Sequence, residues 1–314
     1  MRYLTDAEIG GLVSVPEGAK AVEDGFRSLA GQRAAIQTRV RTPSRIGKLS
    51  VLGAILEEEK VAGAKVYTTA PDGRFCFVIV LFDPEDGRWL ATLEAGELTR
   101  IRTAATSLMA ARALARPDSA VLTVFGAGVQ ARTHALAFAA AFPVTELRIV
   151  LRRAVPDFVD HLRRETGIDV VQVHEPDAAV SGANLVVTAT RAESPLFGGE
   201  ALDPGAHLTS VGATLPGTRE LDSVAIHRAD RLVVESRDQA RFEAGNLIGA
   251  GIAWDKVDEL SELAAGRVTG RTAADQITVF DSLGSGLADI AVASLCYRKA
   301  VDAGRGTELD SGGS

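Results

Sequence analysis

Cysteine is scarce in this chain: Cys76 and Cys296 are the two thiols in 314 residues. Two thiols build neither a disulfide framework nor a cysteine-rich metal site, so a reduced compartment is expected. Basic charge is in deficit, with 34 lysines and arginines against 41 aspartates and glutamates and a net charge of -7. Such a chain suits a phosphate backbone poorly, and no nucleic-acid partner is expected, although a local basic pocket for one nucleotide stays open. No apolar run reaches membrane-spanning length, which argues against a membrane partner. The first residues lack a basic-then-apolar leader pattern, and a cytoplasmic location is expected. His134, His161, His174, His207 and His227 show neither HExxH nor another zinc spacing, so no metal site is expected.

What is present reads as a soluble globular chain, 46% hydrophobic and 24% charged with 31 glycines, long enough for one large or two modest domains. Thr5 to Glu8 resembles a capping box opening a short helix. A second helix is expected over 16–30, with Val22, Phe26 and Leu29 on one apolar face. Residues 35–89 carry short β-rich runs, 64–69 and 75–82 among them, separated by turns at 71–73 and 83–87. A long alanine-rich helix follows over 99–115 and stops before Pro117.

After Asp118 the rhythm changes. Strands expected at 121–125, 147–151, 169–173, 185–189, 208–211 and 232–234 alternate with helices, among them 129–141 and 157–165, the pattern of a parallel sheet covered by helices. Further helices are expected over 256–265 and 287–300, and a frayed polar tail over 304–314.

The run Val124-Phe-Gly-Ala-Gly-Val-Gln-Ala131 supplies the dinucleotide fingerprint in its required strand–turn–helix setting. Gly126 serves the tight turn, Gly128 lets a pyrophosphate approach backbone N–H groups, and Ala131 keeps the helix close to the sheet. The phosphates would sit on the helix N-terminus, where unpaired amides and the dipole favour negative charge. At the end of the second strand, where an acidic residue would bind the ribose of NAD, stand Leu151, Arg152 and Arg153. A guanidinium pairs with a 2′-phosphate, so NADPH is the expected cofactor, with NADH the alternative.

The chain resembles the ornithine cyclodeaminase/mu-crystallin family over nearly its whole length. The likeness rests on Leu98-Thr-Arg-Ile-Arg-Thr-Ala-Ala105, the Gly126–Ala131 loop, Val211-Gly-Ala-Thr-Leu-Pro-Gly-Thr-Arg-Glu-Leu-Asp222, and Val279-Phe-Asp-Ser-Leu-Gly284 followed by Asp289. The resemblance implies an α/β subunit: a Rossmann NAD(P)-binding domain, residues 118–280, inserted in an α+β substrate-binding and dimerisation domain, residues 1–117 with 281–314. It also implies a homodimer and an active site in the cleft between domains. The cofactor-binding set becomes Thr103, Gly126, Gly128, Val129, Gln130, Arg152, Thr188, Ala189 and Val211.

The resemblance further implies that a small imino or amino acid binds through Arg41, Lys65 and Arg102. Arginines clamp a carboxylate, and Lys65, the expected catalytic residue, stabilises charge or assists proton transfer. Ornithine cyclodeaminases carry an acting aspartate where Thr214 stands here, and Thr214 is kept as a substrate-binding residue. Threonine has no useful acid–base chemistry near neutral pH, which turns the expectation from cyclising deamination to NAD(P)H-dependent reduction of a 2-imino acid. The competing readings are an ornithine cyclodeaminase-like reaction, an amino acid dehydrogenase, and a non-catalytic NADPH-binding protein. The family's Met-Pro pair is missing from 49–56, and the stretch after Lys65 reads Pro71-Asp-Gly-Arg-Phe-Cys76, so the exact substrate stays open.

Among the remaining residues, Cys76 is expected in the core and Cys296 at an interface. Ser285 is expected to cap the last helix, Asp281 to support the active site or cap a helix, and 57–60 to form a solvated turn.

Overall fold

The structure is a computed structural model that describes residues 1–155 and 157–310. In chain order the strands are β1 (Arg2–Leu4), β2 (Ala34–Ile36), β3 (Val40–Ser44), β4 (Gly47–Leu56), β5 (Val61–Thr69), β6 (Phe75–Phe82), β7 (Trp89–Glu94), β8 (Val121–Phe125), β9 (Glu146–Val150), β10 (Asp169–Val173), β11 (Leu185–Thr188), β12 (His207–Ser210), β13 (Arg231–Val234), β14 (Val257–Glu259), β15 (Thr278–Asp281) and β16 (Thr307–Glu308). The helices are α1 (Asp6–Ile9), α2 (Val15–Ala30), α3 (Gly96–Leu114), α4 (Val129–Ala141), α5 (Phe158–Thr166), α6 (Pro176–Val180), α7 (Ser223–His227), α8 (Arg237–Glu243), α9 (Gly245–Ala250), α10 (Leu260–Ala264) and α11 (Gly286–Asp302). The chain divides into two compact units: Met1–Thr106 with the segment from Gly284 onward, and Ser107–Leu283. The division falls inside α3 and after β15, where the sequence suggested 117 and 280.

The first unit is built on a sheet ordered β16-β1-β7-β6-β5-β4-β2, with β3 pairing β4. β4 to β7 form an antiparallel meander, and β1 joins β7 in parallel. Both opening helices start from reciprocal capping boxes, Thr5 with Glu8 and Ser14 with Glu17. Each such cap contributes about 1 kcal/mol. Val22 and Phe26 of α2 are fully buried, and α2 packs against α11. β5 lies inside the meander, so side chains alternating along it serve two faces. Lys65 belongs to the face that α11 covers, opposite Leu52 of β4 and Ile79 of β6.

The second unit is an all-parallel sheet ordered β10-β9-β8-β11-β12-β15-β13-β14. Its strands read as near-continuous apolar runs, because helices cover both faces. Strand order reverses at β8, with β9 on one side and β11 on the other, which creates a topological switch point at the carboxyl end of β8. Phe125 stacks on Phe197 there, with ring centroids 5.3 Å apart.

Several expectations change. The helix proposed for 256–265 is a 3-10 turn at Trp254–Lys256, then strand β14, then the shorter α10. Val257 and Leu260 are core residues of a parallel edge strand and the helix that follows it, and three residues are too few to show period-2 alternation. The pattern predicts no strand at β15, yet Thr278–Asp281 is wholly buried in the sheet, so Asp281 belongs to the second unit. Part of the proposed frayed tail pairs as β16 with β1, and residues 311–314 of that tail lie outside the described residues. Cys76 is exposed rather than in the core, because it falls on the face of β6 opposite to α11. Cys296 is buried, and burial pushes its thiol up to about 12.

Candidate active site

The glycine turn after β8 and the helix it opens lie in the second unit. Gly126 follows β8 with φ +112, and a Cβ there would come within 2.6 Å of the Ala189 carbonyl oxygen. Only glycine fits. Gly128 differs: a Cβ there would meet nothing within 4 Å. The protein itself therefore does not require glycine at 128, and the space above it is open to a ligand. Gly128 is the N-cap of α4, where no side chain supplies a cap and no acidic residue occupies the first turn. An uncapped helix N-terminus at a switch point, with open space over a glycine, fits a dinucleotide's pyrophosphate. Val129 is exposed, Gln130 is half-buried, and Arg152 is exposed just beyond the end of β9.

Behind these loops lies a buried carboxylate that the sequence motifs do not single out. Glu220, fully buried, accepts hydrogen bonds from Thr188 Oγ1 at 2.8 Å, Thr190 N at 2.6 Å, Thr190 Oγ1 at 2.7 Å, Ser210 Oγ at 2.9 Å and Gly212 N at 2.8 Å. It ties the ends of β11 and β12 together, fixing Thr188 at the end of β11 and the loops that carry Ala189 and Val211. The Asn246 side chain extends this network. Its carbonyl accepts from the Glu220 and Leu221 amides, while Nδ2 donates to Ser210 Oγ and to Asp281 Oδ1 at 2.9 Å. Asp281 thus belongs to a buried polar network and not to a helix cap. Burial pushes its carboxyl up to about 7, aided by Glu220 and Glu235 and opposed by Asn246. Thr214 is half-buried in the loop after β12 and belongs to this unit, whereas Arg41, Lys65 and Arg102 belong to the other.

In the first unit, Lys65 is 1% exposed. Its Nζ donates to Thr99 Oγ1 at 2.7 Å and to Asp289 Oδ1 at 3.1 Å, and lies 4.2 Å from the Phe77 ring centroid. Arg102 Nε is 2.9 Å from the same Asp289 oxygen, an ion pair. Burial pushes the Lys65 ammonium down to about 7; Asp289 pulls the other way, and Arg102 and Arg39 add to the fall. A lysine so placed exchanges a proton near neutrality.

Local folding explains the cluster. Thr99 and Arg102 lie three apart on α3 and so share a helix face. Ser285 caps α11, as expected, by accepting from Ala288 N at 3.2 Å. Gly286 then rests on β4 so closely that a Cβ would meet the Gly53 backbone at 2.4 Å, which brings Asp289 down over Lys65. Arg41 sits on the same sheet face as Lys65, in register with Ser50 and Tyr67, and is half-buried. Arg39, two residues earlier, donates from Nη2 to the Gly284 carbonyl at 3.1 Å. Thr103 is buried and donates its hydroxyl to the Thr99 carbonyl of its own helix.

Asp289 and Arg39 thus join the Lys65 cluster, a placement that the motifs do not assign. Asp289 had a signal, since it stands in the C-terminal motif, but nothing in one sequence pairs it with Lys65. Among the described residues, no group of three or more histidines, cysteines or carboxylates could hold a metal ion. His134 donates from Nδ1 to the Gln130 carbonyl and pairs through Nε2 with Ser107 Oγ, and burial pushes it down to about 4.

A doubly wound parallel sheet with a glycine turn at its switch point, accompanied by a second unit holding a buried Lys–Asp–Arg cluster, defines a two-unit Rossmann-type protein. The chain belongs to the ornithine cyclodeaminase/mu-crystallin family, whose sequence model matches residues 2–304. It is 33% identical to a Δ(1)-pyrroline-2-carboxylate reductase of Bacillus cereus, covering 83% of this chain and 84% of that one. The structure of a "probable ornithine cyclodeaminase" from Bordetella pertussis Tohama I superposes with a TM-score of 0.93 at 42% identity, over 97% and 98% of the two chains. That of the Thermococcus litoralis Δ(1)-pyrroline-2-carboxylate reductase in complex with NADH and L-proline gives 0.93 at 29% identity, over 98% and 100%.

Proposed function

We propose that this protein is a nicotinamide-dependent reductase of small 2-imino acids, yielding the amino acid. The observation that carries this reading is the buried Lys65, held by Asp289 beside Arg102 and pushed down to about 7. Arg102 and Arg41 are assigned to the substrate carboxylate, since a guanidinium fork matches two oxygens. Lys65 is assigned as proton donor to the imine nitrogen. When bound, the reduced nicotinamide supplies hydride to the imine carbon. Gly126, Gly128 and the amides opening α4 would hold its pyrophosphate, and Val129, Gln130, Thr188, Ala189, Val211 and Thr103 are assigned with them to the cofactor. The relatives' named activity supports a cyclic imine carboxylate as substrate. Thr214, which lacks a carboxylate, favours reduction over cyclising deamination. Exposed Arg152 supports NADPH over NADH.

A homodimer is part of the same reading. The face of the first sheet turned away from α11 carries Val40, Leu49, Ile55 and Phe82, exposed by 52%, 43%, 44% and 37%. An apolar sheet face of this kind supports pairing with a second copy.

The test is oxidation of NADPH and NADH by the purified protein, with Δ1-pyrroline-2-carboxylate, its six-membered homologue, and 2-oxo acids supplied with ammonia. Turnover with the cyclic imines, faster with NADPH, is expected. Lys65→Ala should lower kcat by about 10²–10⁴-fold with the NADPH dissociation constant essentially unchanged. Wild-type activity in that variant would remove Lys65 from its role.

A further inference from the structure

The cluster contains one more side chain whose placement exceeds what packing requires. Asp289 is wholly buried, and one oxygen, Oδ1, serves both Lys65 Nζ at 3.1 Å and Arg102 Nε at 2.9 Å. The other, Oδ2, is buried with no hydrogen-bond partner. A carboxylate used only to stabilise α11 would be expected to satisfy both oxygens, because an unmet buried acceptor is costly. Here the helix is already capped by Ser285 and seated by Gly286 on Gly53.

We propose that Asp289 is a positioning residue for imine reduction: Oδ1 holds the Lys65 ammonium in its charged, proton-donating form and sets its distance from the Arg102 guanidinium. The inference rests on the imine-reductase reading. In the step served, the C=N π bond breaks and two bonds form. Hydride from the reduced nicotinamide makes the C–H bond, and a proton from Lys65 Nζ makes the N–H bond. The neutral lysine is then reprotonated from water.

The charged groups acting on Nζ are Asp289 from α11, Arg102 from α3, and Arg39 from the segment before β3. Thr99 Oγ1 accepts from it, and β4 and β6 face it with Leu52, Ile79 and the Phe77 ring. Asp289 is therefore the anion that offsets burial and two guanidinium groups. Without it the lysine would hold its proton less well, and the fork of Arg102 would lose its anchor.

The experiment is the pH dependence of reductive kcat/KM for Δ1-pyrroline-2-carboxylate in wild type, Asp289→Asn and Asp289→Glu, with melting curves to establish folding. Donation needs charged Lys65, so the wild-type rate falls on the alkaline side of about 7. In Asp289→Asn that alkaline limb should move to lower pH by about one unit or more, as expected for loss of a contacting opposite charge. A purely structural residue would reduce the rate without moving the limb. An Asp289→Asn enzyme that turns over with an unmoved limb overturns the inference. Should that variant not fold, Asp289→Glu decides: the limb should stay near wild type while KM for the imine rises, because the charge is kept but the bridge is displaced. An unchanged KM there overturns the positioning role. A wild type without imine turnover would overturn the reductase reading as well, so the two failures are distinguishable.

Discussion

Asp281 closes β15 with its carboxyl wholly buried, Oδ1 accepting from Asn246 and Oδ2 without a partner. Burial pushes it up to about 7, from an ordinary 3.8. The sign follows from which state holds the proton. Below about 4 both folded and unfolded chains are protonated, and the group's contribution is fully present. As pH rises towards 7 the unfolded carboxyl ionises first, so stability is progressively lost, on the order of a few kcal/mol. Asp281→Asn does not titrate and keeps an oxygen for Asn246. It should therefore raise the urea midpoint at pH 8 and change it little at pH 4. A variant equally destabilised at both pH values would show that the carboxylate form is needed for the fold. Lys65 and Asp289 differ from Asp281 in being paired, and removing one partner of such a buried pair typically costs about 3–5 kcal/mol.

Among the elements, the turn from β8 into α4 separates two uses of glycine that the fingerprint alone treats alike. Gly126 is held at φ +112 against the Ala189 carbonyl oxygen, whereas open space surrounds a Cβ at Gly128. Gly126→Ala should therefore lower the melting temperature of the protein itself, since both backbone conformation and contact oppose it. Gly128→Val should leave the melting temperature of the cofactor-free protein near wild type and remove the stabilisation expected from an added nicotinamide dinucleotide. Thermal melts of both variants with and without nucleotide test this. Loss of stability at Gly128→Val without nucleotide would assign that glycine to the fold instead. Seating of α11 on β4 through Gly286 and Gly53 is the corresponding device in the first unit, and there glycine permits backbone approach that delivers a side chain, Asp289.

For the molecule as a whole, the first sheet carries apolar residues on both faces. One is covered by α11, while the other leaves Val40, Leu49, Ile55 and Phe82 in the open. Pairing with a second copy would bury that face and Cys76 with it. Sedimentation velocity should give a dimer for the wild type. Val40→Asp combined with Leu49→Asp should shift it towards monomer by about 1 kcal/mol or more for each buried charge introduced. A monomeric wild type would end the dimer reading.

The parallel β/α rhythm from β8 onward, the glycine turn, and the motifs that carry the family likeness were all legible in the amino-acid order. These are local properties: apolar runs of strand length, helix caps and fixed spacings act within a few residues of one another. β4 is not legible in the sequence, because its run from Gly47 to Leu56 has neither clean alternation nor the family's expected residues. β14 and β15 escaped because short buried strands have no period to detect. Three features came from folding in three dimensions: Lys65 is buried, Asp289, 224 positions away in sequence, shares one oxygen between it and Arg102, and Glu220 gathers two strand ends. The reason is physical. A buried charge is tolerated only where folding brings it a partner, and which partner arrives depends on sheet register and helix seating, not on neighbouring residues.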